Sequence, residues 1–108
     1  MVLLAELDGR PLALSYCVPS SVSRLAEIFS FYGHPDGWGS GVAGALMTET
    51  LHRLCDRGYV QVHLWTARST AQSRRFYSKC GFVESGAART YNFGDGQPRD
   101  QLEYQRAT

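Results

Sequence analysis

The sequence lacks an excess of charge of either sign. Its 108 residues carry 11 basic and 10 acidic side chains, which gives a formal net charge of +1 at pH 7. Proteins that bind phosphate backbones usually present a strong positive field. We therefore expect no nucleic-acid partner.

Long apolar runs are also missing. No stretch approaches the roughly 20 apolar residues that span a bilayer. The opening run Met-Val-Leu-Leu-Ala meets Glu6 and Asp8 too early for the apolar core of a secretory signal. We therefore expect no membrane association and a cytoplasmic protein.

Cysteine is scarce, and the three that occur, Cys17, Cys55 and Cys80, are far apart in the chain. An odd number without a C-x-x-C pair or a second His/Cys cluster matches neither a disulfide framework nor a zinc site. We expect three buried free thiols and no metal.

Material for a hydrophobic core is present in a normal amount. Apolar residues make up 44% of the chain and aromatic residues 12%. A chain of this length buries roughly two-thirds of its unfolded surface. We therefore expect a single domain over residues 1–108.

Local patterns predict the elements of the first half. The Asp8-Gly9 turn between two apolar runs predicts a hairpin. A third strand is predicted over Leu25–Gly33, with Glu27, Phe29 and Phe31 on one face. From Val42 to Arg57 apolar residues recur at steps of three and four, which predicts an amphipathic helix that ends at Gly58.

In the second half, strands alternate with one more helix. The predicted elements are a strand over Tyr59–Thr66, a helix from Ser69 or Thr70 to Cys80, strands from Phe82 and over Arg89–Phe93, and a last strand over Gln101–Gln105. This order predicts an α+β domain with a mixed sheet.

A glycine-rich loop precedes the first predicted helix, with the sequence Gly37-Trp38-Gly39-Ser40-Gly41-Val42-Ala43-Gly44. Backbone N–H groups at a helix N-terminus favour an anion, and the Ser40 hydroxyl adds a donor. A tight turn is the alternative explanation of these glycines. Neither a Walker motif nor a dinucleotide fingerprint is present. The loop therefore indicates an anion site that needs no metal.

Three segments in order resemble the GNAT superfamily of acetyl-CoA-dependent N-acetyltransferases. They are the strand and turn from Ala26-Glu27-Ile28 to Asp36, the loop 38–43, and Leu64-Trp65-Thr66 followed by Phe76-Tyr77-Ser78-Lys79-Cys80-Gly81-Phe82. The loop resembles the family's pyrophosphate loop, and the last segment resembles its second cofactor motif. The resemblance covers nearly the whole chain. It implies a GNAT-like mixed, mostly antiparallel sheet flanked by helices.

The chain departs from the family pattern at three places. Trp38 stands where the family most often has Gln or Arg, and Thr70 stands where an Asn is common. The family's first strand and its two following helices have no counterpart. We therefore expect an N-terminally abbreviated domain, either a minimal member completed by a second subunit or a fragment of a longer protein.

The resemblance also implies a reaction, in which an amine attacks acetyl-CoA directly in a ternary complex. It implies Tyr77 as the acid that protonates the CoA thiolate, with a core aromatic as the alternative. It implies Glu27 as the base, with a water relay or a merely structural carboxylate as alternatives. The implied cofactor-binding residues are Phe31, Tyr32, Gly33, Gly39, Ser40, Gly41, Val42, Ala43, Gly44, Thr70, Ser73 and Phe76.

Other interpretations remain open. A non-catalytic acyl-CoA-binding or assembly module would need the glycine loop but neither Tyr77 nor Glu27, and an inactive GNAT fragment is a third possibility. An exposed edge strand near Val2 predicts a homodimer. Arg68, Arg74 and Arg75 contact the cofactor's 3′-phosphate or an acidic acceptor, or form a solvated face. Tyr91 and Phe93 line the acceptor pocket or an interface. The acceptor itself is not evident from the sequence.

Overall fold

The computed structural model describes residues 1–108. The chain forms six strands and two α-helices: β1 (Val2–Leu7), β2 (Arg10–Pro19), β3 (Leu25–Gly33), α1 (Val42–Asp56), β4 (Gln61–Ala67), α2 (Ala71–Lys79), β5 (Val83–Tyr91) and β6 (Arg99–Ala107). The strand order in the sheet is β1-β2-β3-β4-β6-β5. The predicted α+β class is confirmed.

Contacts within the chain define two compact units. One comprises Met1–Val62 with Ala107–Thr108, and the other comprises His63–Arg106. The expectation of a single domain stays a prediction.

The first unit is built on an antiparallel meander of β1, β2 and β3. The predicted turn at Asp8-Gly9 joins β1 to β2, and both of its residues have a positive φ, which suits a tight hairpin. α1 packs against β1 and β2. Its buried residues recur at the predicted spacing and are Leu46, Met47, Thr50, Leu51 and Leu54. Gly58, with a φ of +91°, ends the helix as predicted.

A β-bulge in β3 changes which residues share a face. Tyr16 pairs with Ser30 but the next residue, Cys17, pairs with Ile28, so Phe29 is an extra residue in β3. Paired residues project to the same side of a sheet. Phe31 therefore lies on the face of Ile28, and the predicted common face of Glu27, Phe29 and Phe31 is wrong. Simple alternation fails because one inserted residue reverses it.

The second unit contains most of β4, with α2, β5 and β6. Its buried apolar residues are Leu64, Tyr77, Phe82, Leu102 and Tyr104. The two strands predicted after Phe82 are one strand, β5. Its register against β6 shifts between Glu84 and Ala88, where Gly86 has a φ of +92°. A bulge therefore continues the strand where the sequence suggested a break.

The thiols only partly follow the prediction. All three cysteines are free, and Cys17 is buried, but Cys80 is half-buried and Cys55 is exposed on α1. The prediction that all three are buried is wrong because Cys55 lies on the polar side of an amphipathic helix. Neither helix combines the length and the apolar character needed to cross a membrane.

Candidate active site

The glycine loop of the first unit leads directly into the N-terminus of α1. Gly39 and Gly41 have φ values of +81° and +85°, a region that side chains disfavour. Gly41 is the N-cap of α1, and its carbonyl accepts the first helical hydrogen bond from the Ala45 amide at 3.0 Å. The glycines therefore serve both a turn and a helix start.

Ser40 stabilises the loop from inside. Its hydroxyl donates to the Gly37 carbonyl at 2.5 Å and accepts from the Val42 amide at 3.3 Å, while its own amide also donates to Gly37. The hydroxyl proton is thus used within the loop. Ser40 fixes the loop conformation, whereas the sequence suggested a hydroxyl donor free to bind an anion.

Four backbone amides of the loop stay open. The structure gives no hydrogen-bond partner within the chain to the N–H groups of Gly39, Gly41, Ala43 and Gly44. Such groups carry the positive end of the helix dipole. No acidic residue occupies the first turn of α1 to neutralise it. This arrangement suits a phosphate or pyrophosphate.

A hydrogen bond from Trp38 and close packing around Gly37 fix the start of the loop. Trp38, which is 59% exposed, donates from Nε1 to the Gly33 carbonyl at 3.1 Å. Gly37 is buried, and a Cβ there would lie 3.2 Å from Leu12 Cβ and 3.0 Å from Val42 Cγ1. The loop therefore starts from a position where only glycine fits without a shift.

The predicted residues of β3 lie on both faces of the strand. Phe31 is half-buried and pairs with Ser15, whereas Tyr32 is 54% exposed and pairs with Leu14. Gly33 pairs with Ala13 at the end of the strand. Glu27 is half-buried and pairs with Val18, before the bulge.

Tyr77 of the second unit is buried in an aromatic cluster. Its ring centroid lies 5.5 Å from that of Phe76, 5.9 Å from that of Phe82 and 6.3 Å from that of Tyr104. Burial raises the pKa of the phenol to about 12. Tyr77 therefore keeps its proton at neutral pH, as a proton donor must, but its packing equally suits a core aromatic.

The start of α2 contains three of the other predicted residues. Thr70 stands at the N-cap, but its side chain makes no capping hydrogen bond and is exposed. The Thr70 hydroxyl therefore does not cap α2 and is available to a ligand. Ser73 and Phe76 are half-buried.

A groove of about 540 Å³ lies beside α2. It is lined by Ala71, Arg74, Arg75, Ser78, Lys79, Glu84 and Tyr104. Arg74 donates to the Tyr104 hydroxyl at 3.1 Å, to the Arg68 carbonyl at 3.2 Å and to Glu84 at 3.4 Å. Of the arginines considered from the sequence, Arg74 is thus engaged within the unit, whereas Arg75 is exposed.

Sequence reasoning missed one arginine. Arg89 of β5 lies over the rings of Trp65 and Tyr91. The sequence of β5 places Arg89 and Tyr91 on one face but carries no signal that Trp65 of β4 joins them. The Trp65 side chain is half-buried.

The acetyltransferase (GNAT) family matches residues 1–82, most of the chain. The chain therefore belongs to this family. The structure contains no group of three or more His, Cys, Asp or Glu side chains placed to hold a metal ion; that catalysis needs none stays a prediction.

Individual relatives agree with the family assignment. The chain is 31% identical over 110 residues to a phosphinothricin N-acetyltransferase of Alcaligenes faecalis, covering 96% of this chain and 55% of that one. It is 28% identical over 82 residues to an uncharacterized N-acetyltransferase of Archaeoglobus fulgidus, covering 71% and 56%. The chain thus spans a little over half the length of these relatives.

Solved structures confirm the GNAT-like fold. A GNAT family acetyltransferase from Elizabethkingia anophelis, solved with acetyl-CoA bound, superposes with a TM-score of 0.82 at 14% identity, covering 99% of this chain and 75% of that one. The resemblance found in the sequence is therefore correct for family and fold.

Proposed function

We propose that the protein is an N-acetyltransferase that moves an acetyl group from acetyl-CoA to a primary amine by direct attack in a ternary complex. The observation that carries the proposal is the row of open amides at Gly39, Gly41, Ala43 and Gly44. Four N–H donors at a helix N-terminus match the charge of the cofactor's pyrophosphate. Membership of the acetyltransferase (GNAT) family supports the same assignment.

The chemistry requires two proton movements. The amine nitrogen attacks the thioester carbonyl carbon, the carbon–sulfur bond breaks, and the amine loses a proton as the sulfur gains one. Glu27 takes the proton from the amine, directly or through water. Tyr77 gives a proton to sulfur, and its pKa of about 12 keeps that proton available throughout the neutral range.

The remaining predicted residues bind the cofactor. Phe31, Tyr32 and Gly33 of β3 lie along the pantetheine arm, as an extended ligand adds to a strand. We propose the same cofactor as the ligand of Thr70, Ser73 and Phe76 of α2. The Thr70 hydroxyl supports this role, because it makes no capping hydrogen bond to α2 that binding of the cofactor would have to break.

A calorimetric titration with acetyl-CoA tests the cofactor site, with CoA and dephospho-CoA as comparison ligands. The matched variants are Gly44→Glu and Gly44→Gln, because position 44 has open space around it and the two side chains differ only in charge. Glutamate in the first turn favours the helix at least as well as glutamine. We expect Gly44→Glu to bind acetyl-CoA roughly tenfold more weakly than Gly44→Gln, because its carboxylate repels the phosphates.

Equal affinity in the two Gly44 variants, with both folded, would place the cofactor elsewhere. No binding at millimolar acetyl-CoA by the unaltered chain would remove the basis of the proposal. We expect the unaltered chain to bind acetyl-CoA saturably. We expect both Gly44 variants to bind it more weakly, and by different amounts. This pattern would justify a screen of amines for thiol release.

We also propose that two copies of the chain associate and that they act in the cytoplasm. The support for association is β1, the first strand in the sheet order, whose Val2, Leu4 and Leu7 are 58%, 57% and 42% exposed. An exposed apolar edge strand favours pairing with another chain. Sedimentation at several concentrations distinguishes dimer from monomer.

A further inference from the structure

Arg89 of the second unit is held in one orientation by three neighbours. Its Cζ lies 4.4 Å from the ring centroid of Trp65 and 4.5 Å from that of Tyr91. Its Nε donates to Gln101 Oε1 at 2.8 Å, and Gln101 is only 7% exposed. The guanidinium is therefore fixed by two aromatic faces and a buried amide.

The two terminal amino groups of the Arg89 guanidinium make no hydrogen bond within the chain. The acidic side chains on the paired strand are engaged elsewhere: Glu103 with His63 and Ser85, and Asp100 with Thr90. A half-buried positive charge thus lacks a counter-ion.

A guanidinium fixed in this way is prepared for a planar anion. Its fork of N–H donors matches the two oxygens of a carboxylate. Because the side chain is already ordered, a ligand that binds it loses less conformational entropy in the protein. Lysine would lack both the fork and the stacking geometry.

The surface beside Arg89 is apolar and open. The Tyr91 and Phe93 rings lie with centroids 4.6 Å apart, and Phe93 is 55% exposed. Arg99, the other arginine near Phe93, is paired with Asp95 at 2.9 Å. A ligand that complements this surface carries one carboxylate and an apolar or aromatic body.

We propose that Arg89 binds the carboxylate of a small organic ligand whose apolar body lies on Tyr91 and Phe93. Under the proposed function this ligand is the amine acceptor, so the acceptor is a carboxylate-bearing amine of the amino-acid type. The acceptor assignment rests on the proposed function, whereas the carboxylate site does not.

Tryptophan fluorescence measures binding at this site directly. The chain has two tryptophans, so Trp38→Phe leaves Trp65 as the only reporter. We expect phenylacetate to change its emission saturably and to bind at least tenfold more tightly than phenylacetamide, the neutral analogue. Arg89→Gln and Arg89→Lys in the same background should each lose at least tenfold in phenylacetate affinity. Arg57→Gln, which removes an exposed charge of the first unit, should bind like its parent.

Two results would overturn the site. One is equal affinity of the Trp38→Phe protein for phenylacetate and phenylacetamide, which needs no Arg89 variant to fold. The other is unchanged phenylacetate affinity in a folded Arg89→Gln protein. Circular dichroism and thermal melting establish that each variant is folded.

Turnover measurements test the acceptor assignment separately. A panel of L-amino acids and their amides is assayed with acetyl-CoA by thiol release. We expect the free acids to have at least tenfold higher kcat/KM, with the preference lost in Arg89→Gln through KM. Equal use of acids and amides would overturn the acceptor assignment. Failure of acetyl-CoA to bind would overturn the proposed function instead, and the fluorescence result for Arg89 would stand.

Discussion

The hydroxyl oxygens of Ser15 and Thr50 lie 2.8 Å apart, and both residues are fully buried. Thr50 also donates to the Leu46 carbonyl at 2.7 Å, so its proton is used within α1 and Ser15 is the donor of the pair. This polar contact joins the middle of β2 to the middle of α1. It fixes the helix whose N-terminus forms the glycine loop.

Breaking this pair on one side should destabilise the protein more than removing both hydroxyls. Thr50→Val leaves the Ser15 hydroxyl buried without its acceptor, at a cost of about 1–3 kcal/mol in the free energy of unfolding. The double variant Ser15→Ala with Thr50→Val should recover part of that loss. Urea unfolding of the four proteins measures the coupling; additive losses would contradict it.

Gly37→Ala should destabilise the first unit. The added Cβ would meet Leu12 and Val42 at 3.2 and 3.0 Å, so the packing must shift, at about 1–3 kcal/mol. Gly33→Ala is the matched control, because a Cβ there meets Trp38 Nε1 at 3.9 Å, an ordinary contact. Urea unfolding compares the two. A loss as large in Gly33→Ala would show that glycine itself, not the space at position 37, matters.

Tyr77→Phe separates the enzyme from a module that only binds acyl-CoA. Removing the phenolic proton should lower turnover by roughly a hundredfold while acetyl-CoA affinity stays unchanged. Tyr59→Phe in the first unit controls for the loss of a hydroxyl. Thiol release and calorimetry give the two quantities. Turnover within twofold of the unaltered protein would assign Tyr77 to the core alone.

The protein should lose stability in alkali because of Cys17. Burial raises the pKa of this thiol from 9.0 to about 11, so the unfolded chain releases the proton first. Its stabilising contribution is complete below about pH 9 and is lost as the pH rises to 11. The melting temperature of Cys17→Ala should therefore fall less between pH 8 and 10.5. Cys55→Ala, at an exposed thiol, should keep the original slope; equal slopes in all three proteins would refute the assignment.

The sequence predicts well those elements that are determined by residues close together along the chain. The Asp8-Gly9 hairpin and the helix from Val42 were predicted well because turn residues and apolar spacing are local signals. The bulges at Phe29 and near Gly86 were not, because they appear only when one strand is paired with another. Register is a property of two segments, and the pattern of one does not contain it.

The same distinction applies to the candidate site. The glycine loop is contiguous, so its role as an anion site was predicted, although only the structure separates the open amides from those that Ser40 engages. The three residues that contact the Arg89 guanidinium, Trp65, Tyr91 and Gln101, come from three different strands. No spacing within one segment indicates such a cluster.

The extra residue at Phe29 divides β3 into two halves of opposite phase. Because Phe29 has no partner in the ladder with β2, its loss would restore regular alternation while Phe31 stayed on the face of Ile28. Evolution can therefore remove or regain this one residue more readily than a residue that is paired on either side of it. Among homologous chains, we expect differences in the length of this segment to fall at position 29.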